Sequence, residues 1–431
     1  MKSKVTQMLG LLSGKMANNG KYAALDQAVI SIANFAATIL LARFVSPTEL
    51  GIYVIGFLAI YLVRAVQNGV IVQPLNTFGA SKARDEFKQY FTAMAIHQLI
   101  LSGIIALAAV LLGWILTWLG NDTIGPTIFI LWFSFITWQT QEFLRRVFYT
   151  RGVVHKAVWI SLTSQIVRIG LILVFSRYSQ ISGHTGINAI GWGSLAATLL
   201  GIWQARKYFS GTLINVGAAW QENWQFGRWI LGASVADWMV VDLYPIMMAG
   251  MISFAATGIY QALQNLVAPI HVLLRAVDTF ATPILAKTFD QHGLSKMRND
   301  FKWIYIISGI PVMILLLLAM FFTPQLLFLI SGDTYLPYAD GIYVMVLFYF
   351  FLFVNRPLQI AFRAVRQGKQ IFIANILATL SIFTLGFWLI NTWGYYGAVG
   401  GQALNAIIIS VVLLFAWRKI VQEGDSKVAV E

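Results

Sequence analysis

Residues Leu40–Tyr53 read LLARFVSPTELGIY, and residues Met247–Tyr260 read MMAGMISFAATGIY. Each stretch lies where one long apolar run ends and the next begins. At a constant offset of 207 residues they share Ala42/Ala249, Val45/Ile252, Ser46/Ser253, Gly51/Gly258, Ile52/Ile259 and Tyr53/Tyr260. A second pair, AIGWGSL from Ala189 and AVGGQAL from Ala398, recurs at an offset of 209. The chain therefore reads as two copies of one unit. An even number of membrane spans between copies keeps their orientation, so the repeat is parallel, with a pseudo-two-fold axis along the membrane normal.

The runs around these stretches set the class. Of 431 residues, 58% are hydrophobic and 11% charged, with a mean hydropathy of +0.72. Soluble chains carry about 25% charged residues, so an ordinary soluble enzyme and a disordered chain are both excluded. The chain has no cysteine, which removes disulfides, Cys-ligated zinc, thiolate nucleophiles and iron–sulfur clusters. Apolar spans are expected at about 23–43, 48–69, 90–118, 123–144, 157–176 and 187–205, then at about 229–250, 254–276, 303–323, 338–360, 370–391 and 396–417. The expected fold is an all-α polytopic membrane protein with 12 transmembrane helices in two six-helix lobes related by that repeat. An amphipathic cytoplasmic segment (1–22), an N-lobe (23–207), an interfacial linker (208–228), a C-lobe (229–418) and a cytoplasmic tail (419–431) complete the layout. The N-terminal segment places Val5, Met8, Leu9, Leu12 and Met16 on one helical face among lysines, and no cleavable signal is evident.

The formal charge of +13 suggests nucleic acid until its distribution is read. Of the 30 lysines and arginines, all but six fall on alternate loops of one side. Arg43 and Arg177 lie on the other side, while Arg64, Arg168, Arg275 and Arg356 fall within spans. The excess is topological and puts both termini in the cytoplasm; no nucleic-acid partner is needed. The five histidines show no metal-ligand spacing, and no cofactor is expected. Gly394, Gly397, Gly400 and Gly401 open a span, where small residues serve close helix packing.

Polar residues inside the spans form stripes. Span one carries Gln27, Ser31, Asn34 and Thr38, with Asp26 beside the first; span eight carries Gln261, Gln264, His271, Arg275 and Asp278. Ionisable groups in hydrocarbon cost at least about 2.5 kcal/mol each, so they face a cavity or a partner. Arg64 and the His271–Arg275 pair fall at corresponding places in the two halves, which predicts positive charge offered to a shared cleft. Guanidinium forks suit phosphate and carboxylate. The candidate substrate-binding residues are Arg64, Arg168, Arg275, Arg356, His271, Gln261 and Gln264. Asp26, Asp237 and Asp242 are candidates for coupling to H+ or Na+, with interface or helix-pairing roles equally open for Asp26 and Asp242.

Ala42–Tyr53, Gln73-Pro74-Leu75, Phe226-Gly227 and Gln141–Arg146 resemble segments of the O-antigen and exopolysaccharide flippases of the multidrug/oligosaccharidyl-lipid/polysaccharide exporter superfamily. The resemblance implies two six-helix lobes that open alternately, in a bacterial inner membrane. It implies an undecaprenyl-pyrophosphate-linked oligosaccharide carried from the inner to the outer leaflet for surface polysaccharide, alongside other polysaccharide assembly proteins. A multidrug antiporter of the same superfamily would share the fold, but four intramembrane arginines oppose cationic drugs. In a major-facilitator transporter the loop after span two would carry an acidic residue where Ala83 stands. A membrane glycan polymerase or ligase would need a sizeable outer loop, and the expected outer loops are short.

Overall fold

The computed structural model describes residues 15–178, 180–210 and 216–428. The amphipathic stretch expected before Lys15 therefore lies outside the described residues, as do the tail beyond residue 428 and part of the linker, 211–215. Every regular element among the described residues is helical. A backbone in hydrocarbon finds no water and must satisfy its own N–H and C=O groups, which a helix does within one segment.

The helices are α1 (Lys15–Phe44), α2 (Pro47–Gln67), α3 (Arg84–Trp118), α4 (Ile124–Thr150), α5 (Val154–Arg177), α6 (Gly183–Ala205) and α7 (Val216–Met251). A continuous helical stretch, Phe254–Phe321, is broken at Gly293 (φ 74°) into α8 (254–292) and α9 (294–321). After a short helix, Thr323–Ser331, comes α10 (Gly341–Ala364). The last stretch is broken at Gly394 (φ 55°) into α11 (368–393) and α12 (395–428). Both breaks sit where a left-handed backbone is needed and glycine supplies it without a Cβ clash. α2 continues to Phe78 through a π turn at Asn68–Val72, and α11 holds another at Ile382–Gly386.

These are the 12 helices expected. By length and apolarity alone, eight described helices can cross a membrane, or nine if the bent pair in α7 counts as one span. α4 and α8 fall short because they are polar: α4 carries Gln139, Gln141, Glu142 and Arg145, and α8 carries Gln261, Gln264, Asn265 and His271. α11 and α12 are counted once because their helix is continuous across the kink.

The chain packs as two compact units. One comprises Met1–Val45 and Ile52–Trp238; the other comprises Ser46–Gly51 and Met239–Glu431. In the first, Phe91 stacks on Phe143 at 5.7 Å within a buried cluster that includes Phe87, Met94, Val147 and Phe148. The Trp-rich start of α7 belongs to this unit: Tyr90 donates to Asn223 at 2.8 Å, and Trp220 packs on His97. The second unit is centred on Met297, Leu358, Phe362, Ala374 and Leu413.

Within the second unit the repeat becomes visible. Serine caps the start of both α2 and α8: Ser46 Oγ accepts from the Glu49 N–H at 3.3 Å, and Ser253 Oγ from the Ala256 N–H at 3.1 Å. The two helix starts then cross backbone to backbone. A Cβ on Gly51 would overlap the carbonyl of Phe254, and one on Gly258 would overlap the carbonyl of Pro47. Pro47 and Phe254 are themselves 207 residues apart. The contact is thus its own image, as a two-fold contact must be. Either Gly51→Ala or Gly258→Ala is expected to destabilise the protein by about 1–3 kcal/mol, the usual range for overpacking. Gly250→Ala, with open space around it, should be neutral or stabilising; thermal unfolding of the three purified variants compares them directly.

Candidate functional site

In the first unit, α5 carries Arg168 into the interior, where it is 3% exposed. Gly193 of α6 lies against Ser164 and Arg168, and this lack of a side chain makes room for the arginine. The guanidinium donates to Asn34 Oδ1 at 2.6 Å, to Gln165 Oε1 at 3.3 Å and to the Tyr53 hydroxyl. All three acceptors are neutral, no described carboxylate is within ion-pair distance, and Nε has no partner. Arg168 is therefore a caged, uncompensated positive charge.

Arg64 on α2 is half-buried and lies over the ring of Tyr61 at 5.4 Å. It makes no hydrogen bond or ion pair with a described residue. The carboxylate within its field, Glu142, is already shared by two other arginines. Arg145 grips Glu142 through Nε at 2.8 Å and Nη2 at 3.0 Å, and Arg146 Nε donates to it at 2.7 Å. The other face of Arg145 meets Asp26 of α1 at 2.6 Å, and the Tyr149 hydroxyl donates to the same carboxylate oxygen at 2.6 Å. Asp26, Glu142 and Arg145 are all buried. Two acids and two bases thus form a closed cluster that joins α1 to α4.

In the second unit, three residues proposed for substrate share one neighbourhood. His271 of α8 bonds to the Tyr349 hydroxyl of α10 at 2.8 Å, and both Arg275 and Arg356 lie near enough to act on it electrostatically. Arg275 is exposed. Arg356 is half-exposed and 3.6 Å from Asp278. Gln261 bonds to Asn265 along its own helix at 3.1 Å. Gln264 donates at 3.1 Å to the Tyr260 hydroxyl, which itself donates to Gln402 of α12 at 2.9 Å.

Of the three coupling candidates, Asp26 is committed to Arg145 and Tyr149. Asp242 is half-buried and makes no hydrogen bond or ion pair with a described residue; it acts electrostatically on Tyr260. The side chain of Asp237 lies outside the described residues. Among the described residues, no group of three or more His, Cys, Asp or Glu could hold a metal ion.

A family model described as "Polysaccharide biosynthesis protein" matches residues 40–340. The chain belongs to the polysaccharide biosynthesis protein family. The match runs from the end of α1 to the edge of α10 and so contains both copies of the repeated stretch. No curated protein sequence matches the chain. Among solved structures, this family member is similar to an inward-facing multidrug resistance MATE family transporter of the MOP superfamily, at a TM-score of 0.74 and 12% identity, covering 94% of this chain and 99% of that one. It is also similar to the lipid II flippase MurJ in an inward closed conformation (0.62, 14% identity, 92% and 87% covered). A MOP superfamily transporter from Pyrococcus furiosus is a third (0.58, 14%, 95% and 97%). The polysaccharide biosynthesis family member thus has the MOP-superfamily fold.

Several residues that build these sites were not singled out from sequence. Tyr349 carries no motif, and Gln402, although inside the repeated AVGGQAL segment, shows no role until packing brings it to Tyr260. Glu142 and Arg145 stood together in sequence, but their link to Asp26 spans 119 residues. Removing one member of a buried ion pair leaves its partner uncompensated and costs about 3–5 kcal/mol. Asp26→Ala should lose stability on that scale, while Asp26→Ala/Arg145→Met should lose less than the two single losses summed, by about 0.5–3 kcal/mol. A double-mutant cycle on denaturant unfolding of the purified protein reads both values.

Proposed function

We propose that this protein is a flippase that carries a polyprenyl-pyrophosphate-linked oligosaccharide across the bacterial inner membrane, from the cytoplasmic to the outer leaflet, for surface polysaccharide. The observation that carries the reading is Arg64: a half-buried arginine inside a span that has neither hydrogen bond nor ion pair among the described residues. Such a charge is sustained by water or by an anionic ligand. Arg275 and Arg356 supply the same chemistry in the second unit, next to the neutral donors and acceptors of His271, Tyr349, Gln261 and Gln264. Guanidinium groups bind the pyrophosphate, and hydroxyl, amide and imidazole groups bind sugar hydroxyls. The polyprenyl tail, as apolar as the bilayer, stays in lipid. Arg168, enclosed by Asn34, Gln165 and Tyr53, adds positive potential without touching the ligand.

Membership of a polysaccharide biosynthesis family and likeness in fold to a lipid II flippase support this reading. The ligand shifts the balance between inward and outward states only in so far as its affinity for the two differs. Asp242 is the coupling group in this scheme, because its carboxylate makes no hydrogen bond or ion pair with a described residue whereas that of Asp26 is held by Arg145. Cation binding or protonation at Asp242 removes a negative charge from the Tyr260–Gln264 neighbourhood.

An ion-coupled multidrug antiporter is the second reading, favoured by the TM-score of 0.74 to a MATE transporter. The two separate by ligand. Polyprenyl-pyrophosphate-linked sugar should raise the unfolding temperature of the purified protein, and cationic dyes should not. Arg64→Gln and Arg275→Gln should each weaken that binding about 10- to 100-fold, as expected for one charge-assisted hydrogen bond of about 1.5–3 kcal/mol. Stabilisation by dyes alone would overturn the flippase reading. In proteoliposomes, Asp242→Asn should abolish the dependence of transport on a proton or sodium gradient with binding retained. An unchanged gradient dependence would remove Asp242 from coupling.

A further inference from the structure

Tyr349 of α10 is fully buried, at 0% exposure, so its one hydroxyl proton has to end on an acceptor within the protein. Two neighbours on α8 meet that hydroxyl. His271 Nε2 lies 2.8 Å from it, with the two rings edge to face at 5.1 Å. The Gln264 side chain hydrogen-bonds it as well. Gln264 Nε2 also donates at 3.1 Å to the Tyr260 hydroxyl, and Tyr260 passes its own proton to Gln402 Oε1 of α12 at 2.9 Å.

The protons along this chain determine the state of the histidine. The Tyr260 proton is spent on Gln402, so the Tyr260 oxygen takes its second bond as an acceptor, and the Gln264 nitrogen supplies it. That nitrogen carries two hydrogens and serves both phenols, one hydrogen to each. The Tyr349 oxygen is then an acceptor toward Gln264, and its own proton goes to the remaining neighbour, His271 Nε2. Nε2 is therefore bare, and the hydrogen of the imidazole sits on Nδ1. An N–H at Nε2 would face the phenol oxygen and strand the buried Tyr349 proton without an acceptor.

The imidazole ring itself is only half-buried, with Arg275 and Arg356 close enough to act on it electrostatically. We propose that Tyr349 is a positioning residue, holding His271 as the Nδ1–H tautomer so that the imidazole donates a hydrogen bond to a sugar oxygen of the substrate. The identity of that substrate rests on the flippase reading; the tautomer rests on the hydrogen-bond chain alone. Tyr349 acts through His271, and Gln264, Tyr260 and Gln402 act one step behind it by keeping the Tyr349 oxygen an acceptor. A histidine without such a partner exchanges its hydrogen between the two nitrogens and offers a donor at Nδ1 only part of the time. Fixing the tautomer in advance removes that loss, as pre-organisation of a site does generally.

Long-range 1H–15N correlation on the purified full-length protein, labelled with 15N at its five histidines, reads the tautomer, and the signals lost in H271N assign His271. Wild-type His271 should show the hydrogen on Nδ1, and Y349F should shift it toward Nε2. Binding of polyprenyl-pyrophosphate-linked sugar is titrated in the same detergent. An asparagine amide nitrogen reaches the place of Nδ1, and a glutamine amide nitrogen that of Nε2. H271N should therefore bind about 3- to 10-fold more tightly than H271Q, the range of one neutral hydrogen bond. A hydrogen on Nε2 in the wild type, a tautomer unchanged in Y349F, or H271Q binding as tightly as H271N would overturn the proposal. A wild type that binds no such lipid would instead sink the flippase reading, and the tautomer spectra would still decide the role of Tyr349.

Discussion

A charge placed in hydrocarbon has to be matched, hydrated or used, and this constraint organises the interior of both units. Asp26, Glu142, Arg145 and Arg146 match one another and come to no net charge. The cluster ties α1 to α4 through contacts among the shortest polar ones in the structure, 2.6 and 2.7 Å. Because its charges cancel, it has little left to offer a ligand. Arg168 is treated differently: three neutral oxygens solvate it while its charge stays uncompensated. Arg64 lies over the Tyr61 ring and makes no hydrogen bond or ion pair with a described residue. The series runs from matched to caged to unbonded among the described residues.

The repeat explains how two such units arise from one plan and why they are not copies in chemistry. Tyr53 and Tyr260 are equivalent at the 207-residue offset, and each is buried with its hydroxyl hydrogen-bonded. In the first unit the partner is Arg168, which reaches Tyr53 over Gly193. At the 209-residue offset of the AIGWGSL and AVGGQAL segments, Gly193 corresponds to Gln402, and Gln402 is the residue that bonds to Tyr260. A glycine that admits an arginine has been exchanged for a glutamine that takes the bond itself. The same scaffold position is therefore cationic in one unit and neutral in the other.

Much of this was legible in the sequence because it depends on local pattern. The spans follow from apolar runs and the repeat from the offset, which pairs Ser46 with Ser253 without showing that both are caps. The Gly51/Gly258 crossing was visible as shared register, although not as a contact. What was not legible depends on pairing across long separations. Asp26 reads as a lone acid at the start of a span until Arg145 is brought to it by packing. His271 reads as part of a stripe on α8, and only folding supplies Tyr349. Asp278 stands three residues from Arg275 in sequence, yet Arg356 of α10 also comes to 3.6 Å from it. α4 and α8 show the converse: the polar residues that disqualify them as simple apolar spans are the ones that build the clusters.

Pairing also makes the two units differ in how their charge can respond. In the first, the carboxylate within the field of Arg64, Glu142, is already held by Arg145 and Arg146, so its field is set by the fold. In the second, Asp278 faces Arg356 at a distance too long for a good charge-assisted bond, which is about 2.7–2.9 Å, and both groups are partly exposed. A half-exposed pair of this kind gives up little on separating, since exposed ion pairs contribute about 0–1 kcal/mol. An anion approaching Arg356 can therefore displace Asp278 at small cost, and Asp278 can reclaim the arginine when the anion leaves. Asp242, without a hydrogen bond or ion pair among the described residues and within electrostatic reach of Tyr260, is a second carboxylate in the same unit. Under the proposed function, fixed attraction in one unit and adjustable attraction in the other lets an anionic ligand favour one state over another, because a ligand held equally well in both states shifts nothing between them.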